Sequence, residues 1–486
     1  MKPSIAALAI ALLLRVSAFA LPDHPIEHQL VTVQVSYQAW NEYRPWQKSK
    51  PARRTFLGTV VSKNRILVPA AYLQDATLIQ LEKFDNPPRV PAQIVHCDQQ
   101  VGLAVLTTDE AGFFDDLNPV EMADSAEGDN YYCAAWKSNQ LNLSSCRWSQ
   151  VKTFKSSIPY FGYAGITFIT DLKNGGRGEP VFSGDRMIGM TRSQSKDLIT
   201  VIPVDLIKAY LHAIDLPAYP GFGRLGIDYQ YNTGQAQAAY YGQKGKPSGV
   251  RIQGCFPGGS ADGILQPEDI LLELDGHAID AEGDYRHPRY GMMSLKLIAT
   301  EGHYAGDVLP ARVLRDKKEI ELEIPLKNIP ASAALIPLAR PDLPPPYLVA
   351  GGLVFRELDD PYLQAWGDDW QNKIPASLRI LRSLKGESPT PHQQRLIVLA
   401  DVFPDEYNLG YHEMAQNIVK TVNGLPIDSI EKLETAFHQP QNGFHVIEFM
   451  PSYGTCKVIL DADSFETATA TILENYQIPS RIRLSP

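Results

Sequence analysis

Between Leu30 and about residue 212 the apolar positions come in short runs broken by polar or turn residues. These runs are "LVTVQVSY", "TFLGTVVS", "RILVP", "ATLIQLEKF", "GLAVLTT", "NYYCAAW", "GITFIT", "RMIGMT" and "LITVIP". Short, closely spaced runs with few helical periods between them predict the strands of an all-β sandwich or barrel. The region closes on "PVDLIKAYLHAI", where Leu206, Ile207, Tyr210 and Leu211 fall at helical spacing and Asp205 suits an N-cap. A helix is expected there.

A break rich in proline and glycine, "DLPAYPGFG", opens a second unit over 217–328. Next comes "IPASAALIPLARPDLPPPY", in which Pro344 to Pro346 stiffen the chain, so a linker is expected over 329–346 and a third unit over 347–486. The second and third units echo each other. "EDILLELDGHAID" at 268–280 and "AQNIVKTVNGLPID" at 415–428 both predict strand, turn, strand, with Gly276 following Asp275 and Gly424 following Asn423. Asp-Gly and Asn-Gly favour tight hairpin turns because both residues tolerate positive φ. Duplication of one small domain explains the echo, since the preceding apolar pattern also matches; two chance hairpins are the alternative.

With 486 residues, 44% apolar and 21% charged, the chain has the make-up of an ordinary globular protein of about three domains. A net charge of −10 argues against a general nucleic-acid binder. Lys2, the apolar run "IAALAIALLL" and the small-x-small end Ala18-Phe19-Ala20 predict a secretory leader over 1–20, cleaved near Ala20; the alternative is a buried first helix. The apolar run is too short to span a bilayer, so an exported protein is expected, periplasmic or extracellular, without stable membrane insertion.

The five cysteines include no C-x-x-C pair, which speaks against zinc. Cys133 and Cys146 flank a polar loop between two strand-like runs, and in an oxidising compartment they form a candidate disulfide or else remain separate buried thiols. Cys97, Cys255 and Cys456 are expected as packed core or surface residues. No P-loop, dinucleotide fingerprint or metal-ligand cluster is found, so no cofactor and no metal are expected.

The order of elements, together with "NPVEMADSAEGDNYYCAAW", "LGIDYQ", "GVRIQGCFPGGSADGILQPEDILLELDG", "VAGGLVFRELDDPYL" and "VLADVFPDEYNLGYHEMAQNIVKTVNGLPI", resembles the HtrA/Deg family of PDZ-containing serine proteases, and within it the plant-type members with a divergent second PDZ domain. The resemblance covers nearly the whole chain after the leader. It implies a mainly β fold, a trypsin-like double β-barrel over 30–212 followed by two PDZ-like α+β domains.

The resemblance does not carry the chemistry with it. A serine hydrolase needs a nucleophile, a base that takes its proton and an acid that orients the base. Where the family has histidine in L-T-N-x-H-x-V, this chain has Leu67-Val68-Pro69-Ala70-Ala71-Tyr72-Leu73, placing Ala71 at the histidine position. Where the family has D-x-A-L-L, it has Gly102-Leu103-Ala104-Val105-Leu106, placing Gly102 at the acid. The nucleophile loop G-N-S-G-G-P becomes "NGGRGEP", with Arg177 at the serine and Glu179 at the second glycine after it. None of these replacements supplies the required group. Within 30–211 the only histidine is His96, next to Cys97 and Asp98. His96 and Asp98 fall on one strand face, but no serine is set against them by sequence. Such a shifted set is the one route to an active serine endopeptidase; the alternative is a strand-end histidine near the surface. Arg177 and Glu179 either neutralise each other across the turn and block the former cleft or stand as solvated charges.

The resemblance further implies that Gly223-Arg224-Leu225-Gly226, leading into Ile227, is a loop that takes a peptide's terminal carboxylate on backbone N–H groups, Arg224 adding positive charge. A partner helix is expected near "GMMSLKLIAT", with Met293 and Leu297 lining an apolar pocket or, alternatively, serving as core. The third unit offers only "GGLVF" at 351–355, and its long insertion, acidic at first, is expected to cover the groove. By resemblance the third unit serves assembly, as a homo-oligomer or with an active relative. The expected partners are protein C-termini or unfolded polypeptides.

Overall fold

The computed structural model describes residues 26–484 except 85–87, 127, 129, 138–139, 156–161, 341, 385–388, 391 and 452–455. The expected leader lies outside the described residues. The runs of the first unit form two antiparallel sheets. In the first, the order is Val90–Pro91, Ala76–Glu82, Leu30–Tyr37, Ala52–Ser62, Arg65–Pro69, Leu103–Thr107, Gln93–Asp98. Its two outer strands are separated in sequence only by Ala92, whose N–H bonds Ile79 O at 2.9 Å, so the stretch 90–98 closes the sheet on itself. Val33, Val60, Ile66, Val68 and Leu106 fill its interior.

The second sheet is a closed six-stranded barrel: Gly162–Thr170, Leu198–Pro203, Arg186–Ser195, Pro180–Ser183, Tyr131–Lys137, Gln140–Lys155. The helix Val204–Ile214 follows and buries Leu206, Ile207 and Tyr210. Its N-cap is Pro203, not Asp205, because the helix starts two residues earlier than expected. Asp205 lies in the first turn, where a carboxylate favours the helix dipole.

In the second unit the sheet runs Ile227–Gln230, Val250–Cys255, Ile270–Leu274, Val308–Arg315, Lys318–Pro325. The third unit has two four-stranded sheets, one built on Tyr347–Ala350 and Leu353–Glu357, the other on Val419–Val422 and Phe444–Phe449. The echoed hairpins are alike in geometry. Asp275 and Gly276 have φ of 50° and 72°, Asn423 and Gly424 50° and 78°, and each pair joins a strand couple. Two successive positive φ values are what a two-residue turn of this hand requires.

The expected linker is largely absorbed into the neighbouring units. Leu335 and Ile336 are buried among Leu358, Leu363 and Leu378 of the third unit, because apolar side chains in a free linker would stay in water. The insertion's helix Ala376–Leu384 contributes Leu378 to the same core. The loop 38–51 of the first sheet also docks on the third unit. Trp46 packs on Tyr347 and Phe403, and the fully buried Arg356 holds Glu42 at 2.7 Å and Asp359 at 2.9 Å. Among the described residues no helix is long and apolar enough to cross a membrane.

Candidate functional site

The fold brings Ala71, Gly102 and Arg177, which the sequence reading aligns with a triad, to one place between the sheets. Ala71 lies in the short 3-10 turn Ala70–Leu73 and is exposed. The N–H of its neighbour Ala70 donates to Gly102 O at 3.0 Å. On the other side, Tyr72 Oη donates to Gly176 O at 3.3 Å, and Leu57 N–H donates to Arg177 O at 3.0 Å. Gly102 has φ of 78°, and open space surrounds the place of a Cβ. Burial pushes the Tyr72 phenol upward in pKa, with the Arg177 charge opposing that shift.

In the loop 174–180, Gly176 and Gly178 have φ of 82° and 90°, and a Cβ on Gly178 would stand 2.4 Å from Leu57 O. These two glycines are therefore required by the turn. In trypsin-like enzymes the oxyanion hole consists of the amide of the nucleophile residue and that of the residue two before it. On the alignment read from the sequence, the corresponding amides are those of Arg177 and Gly175. Glu179, almost fully buried, accepts the Arg177 N–H at 2.7 Å and also the Thr191 hydroxyl. Gln194 Oε1 accepts the Gly175 N–H, while its Nε2 donates to Leu172 O and Lys196 O. Both amides are thus taken by side chains of the same chain.

Of the two alternatives for this pair, side-chain neutralisation or two solvated charges, neither describes Glu179. The carboxylate turns inward to the Arg177 backbone, and the Arg177 side chain stays exposed. Gln194 and Thr191 were missed in the sequence; they act from the strand Arg186–Ser195, and no local pattern marks them.

His96 sits away from these positions. Its Nδ1 is 3.1 Å from Tyr210 Oη and its ring lies 4.1 Å from that of Tyr219, and burial lowers its pKa. Asp98 accepts from Gln100 N–H, Val101 N–H and Tyr219 Oη, binding its own turn and the next linker. Burial pushes the Cys97 thiol up to about 12, away from thiolate chemistry. Cys133 and Cys146 are neighbours in one apolar cluster, diagonal in the strand register with Cys133 facing Ser144 and Cys146 facing Tyr131, and a hydrogen bond with Cys133 lowers the pKa of the Cys146 thiol.

In the second unit, Gly223 through Ile227 are all buried. Gly226 has φ of 67°, and a Cβ there would stand 3.0 Å from Ile329 Cδ1. Among the described residues no acceptor takes the amides of Leu225 and Gly226. Arg224 differs from expectation. It is 1% exposed, burial lowers its pKa to about 10, and the charge acting on it is that of Asp98 in the first unit. Its charge therefore belongs to the junction of the two units.

The expected partner helix is replaced by a strand, Gly291–Ser294, and a 3-10 turn, Leu295–Leu297. The strand pairs with Asp284–His287, which uses the backbone groups a helix would need. Met293 and Leu297 are both buried, and Leu297 faces the second barrel, where Thr300 Oγ1 donates to Gly162 O at 2.6 Å. In the third unit, Gly351 and Gly352 form the hairpin turn between Tyr347–Ala350 and Leu353–Glu357, and Thr469 Oγ1 accepts the Gly351 N–H. "GGLVF" is thus a turn whose first amide is already bound.

A family model described as "PDZ domain" matches residues 336–483. "Protease Do-like 4, mitochondrial" of Arabidopsis thaliana is 26% identical over 474 residues, covering 93% of this chain and 84% of that protein. "Protease Do-like 2, chloroplastic" of the same plant is 21% identical over 471 residues, covering 94% and 75%. Among solved structures, "HtrA-type protease AlgW with decapeptide" is 15% identical with a TM-score of 0.48, covering 63% of this chain and 96% of that one.

Proposed function

We propose, from this chain's standing as a homologue of the HtrA/Deg PDZ-containing proteases close to the plant Do-like members, that it is a catalytically inert relative that binds polypeptides. The observation that carries this reading is the double capping at the nucleophile turn, Arg177 N–H by Glu179 and Gly175 N–H by Gln194. An acyl-transfer transition state needs those donors free and aimed at the developing oxyanion. With Ala71, Gly102 and Arg177 at the triad positions, base, acid and nucleophile are missing as well. The relatives named as proteases favour a second reading, an active endopeptidase. It requires a nucleophile elsewhere, and the partners of His96 are tyrosines.

The binding half of the proposal rests on the second unit. Two buried amides without acceptors, at Leu225 and Gly226, are costly unless a ligand takes them. A peptide's terminal carboxylate fits that need, its chain lying along the outer strand Ile227–Gln230. The protein acts on this account as an adaptor, holdase or regulator, exported once residues 1–20 are removed. The test is a titration of the full-length protein with one apolar-ended peptide in free-acid and amidated forms. The free acid is expected to bind at least about tenfold more tightly. Equal affinity would remove carboxylate recognition at this loop.

A further inference from the structure

Three cavities that share walls lie around residues 285–302 of the second unit, two of them against the second barrel and the third lined by second-unit residues alone. One, of about 330 Å³, lies between the helix Val204–Ile214, the strand Gly162–Thr170 and residues 289–302, with Ala164, Leu206, Ala209 and Leu297 in its wall. A second, of about 380 Å³, lies by Trp148 and Val151 and shares Arg289 and Tyr290 with the first. A third, of about 180 Å³, shares Arg289 and Glu301 with the first and reaches Tyr285. Together they make a trough along the junction of two domains, the kind of place where binding sites form.

The charges in the trough are already matched. Arg289 Nη1 is 3.2 Å from Asp205 and its Nη2 is 3.5 Å from Glu301. Tyr290 Oη donates to Asp205 at 3.3 Å, and His287 Nε2 is 2.8 Å from Glu301. Lys208, at the rim, is 3.5 Å from Asp124. A terminal carboxylate meets Arg289, His287 and Lys208 already facing carboxylates, in contrast to the amides of Leu225 and Gly226, which no acceptor takes among the described residues. Apolar side chains find aliphatic and aromatic walls. In an extended chain, every second side chain points the same way, which suits a row of adjoining pockets.

We propose that this trough is a second polypeptide site, taking an internal apolar stretch of an unfolded chain whatever its termini. The proposal rests on the reading of the protein as a polypeptide binder and adds a site and a ligand class to it. Its test uses the full-length protein and an extended ten-residue peptide rich in leucine and phenylalanine, acetylated and amidated at its ends. Binding is followed by fluorescence anisotropy. The blocked peptide is expected to bind. Ala209→Phe, which fills the first cavity, is expected to weaken it at least about tenfold, since one buried apolar side chain is displaced. Binding of a free-acid peptide at the Leu225–Gly226 loop is expected to stay unchanged. Trp148→Ala, in the second cavity, gives a smaller loss in the same direction and decides the matter should Ala209→Phe fail to fold by circular dichroism.

Several outcomes overturn the trough: no binding of the blocked peptide, wild-type binding by both folded variants, loss of blocked-peptide binding in Gly226→Leu, or a change of oligomeric state in Ala209→Phe in place of a change in peptide affinity. Failure of free-acid recognition alone, with the blocked peptide still bound, removes the loop reading and leaves the trough standing.

Discussion

The turn 174–180 of the first unit and the glycine loop of the second are built from the same material, backbone amides held by glycines at positive φ, yet they end in opposite states. At the turn, Glu179 and Gln194 take the amides of Arg177 and Gly175. At the loop, Leu225 and Gly226 are buried and, among the described residues, no acceptor takes their amides. A donor satisfied from within has nothing left for a ligand, whereas a buried donor left open gains from one. The contrast is between a turn whose donors are satisfied from within and a loop whose donors have no acceptor among the described residues.

The largest expected effect comes from trying to reverse the closed state. Ala71→His, Gly102→Asp and Arg177→Ser together restore the three groups but leave both amides capped. That triple variant should stay at background in casein hydrolysis. Adding Glu179→Gly and Gln194→Gly should raise the rate at least about a hundredfold, because oxyanion donors contribute on that scale. Activity in the triple variant equal to that of the quintuple would mean that the caps do not block the hole. Strong activity from Arg177→Ser alone would mean that a base stands elsewhere.

Next in size is the cost of uncapping the wild-type turn. Glu179→Ala strands the Arg177 N–H and the Thr191 hydroxyl in a buried place, so chemical denaturation should show a loss of about 1–3 kcal/mol. Peptide binding should not change. An unaltered stability would show that water replaces the carboxylate at no cost and that the turn is less closed than described.

The open state is sharpened by Gly226→Leu. A side chain there meets Ile329 and Phe256 and sits at a φ that disfavours it. Free-acid peptide affinity should fall about tenfold or more. The blocked-end peptide, held in the trough, should not notice.

The smallest effect is a pH dependence. Burial lowers the pKa of both His96 and His445, so the folded state favours their neutral forms. Their contribution to stability is full above the ordinary histidine pKa of about 6.5 and is lost as pH falls through the depressed folded values. Thermal unfolding midpoints should decline from pH 7 to pH 5, and less so in the His96→Gln, His445→Gln variant. A decline identical in both proteins would assign it to carboxylates instead.

Much of this was legible in the chain because its signals are local. The short apolar runs specify the strands, and Asp275-Gly276 and Asn423-Gly424 specify hairpins through two residues each. The phrases around Ala71, Gly102 and Arg177 mark turns that the fold brings together. What was not legible depends on contacts between distant segments. Gln194 reaches Gly175 across 19 residues, and Arg224 is buried where it feels Asp98 of another unit. Met293 and Leu297 stand four apart, which suits a helix, but pairing with Asp284–His287 outweighs that spacing. Leu335 and Ile336 lie in a proline-rich stretch, and only the third unit's core shows where they bury.

The central claim, that the double-barrel unit is a frame without chemistry, is tested most directly by exposing the purified full-length protein to a fluorophosphonate probe alongside denatured casein, with an active trypsin-like protease as control. The account predicts no serine labelling and no casein fragments near neutral pH. Stoichiometric labelling of one serine, with proteolysis that disappears when that serine is replaced, would contradict it.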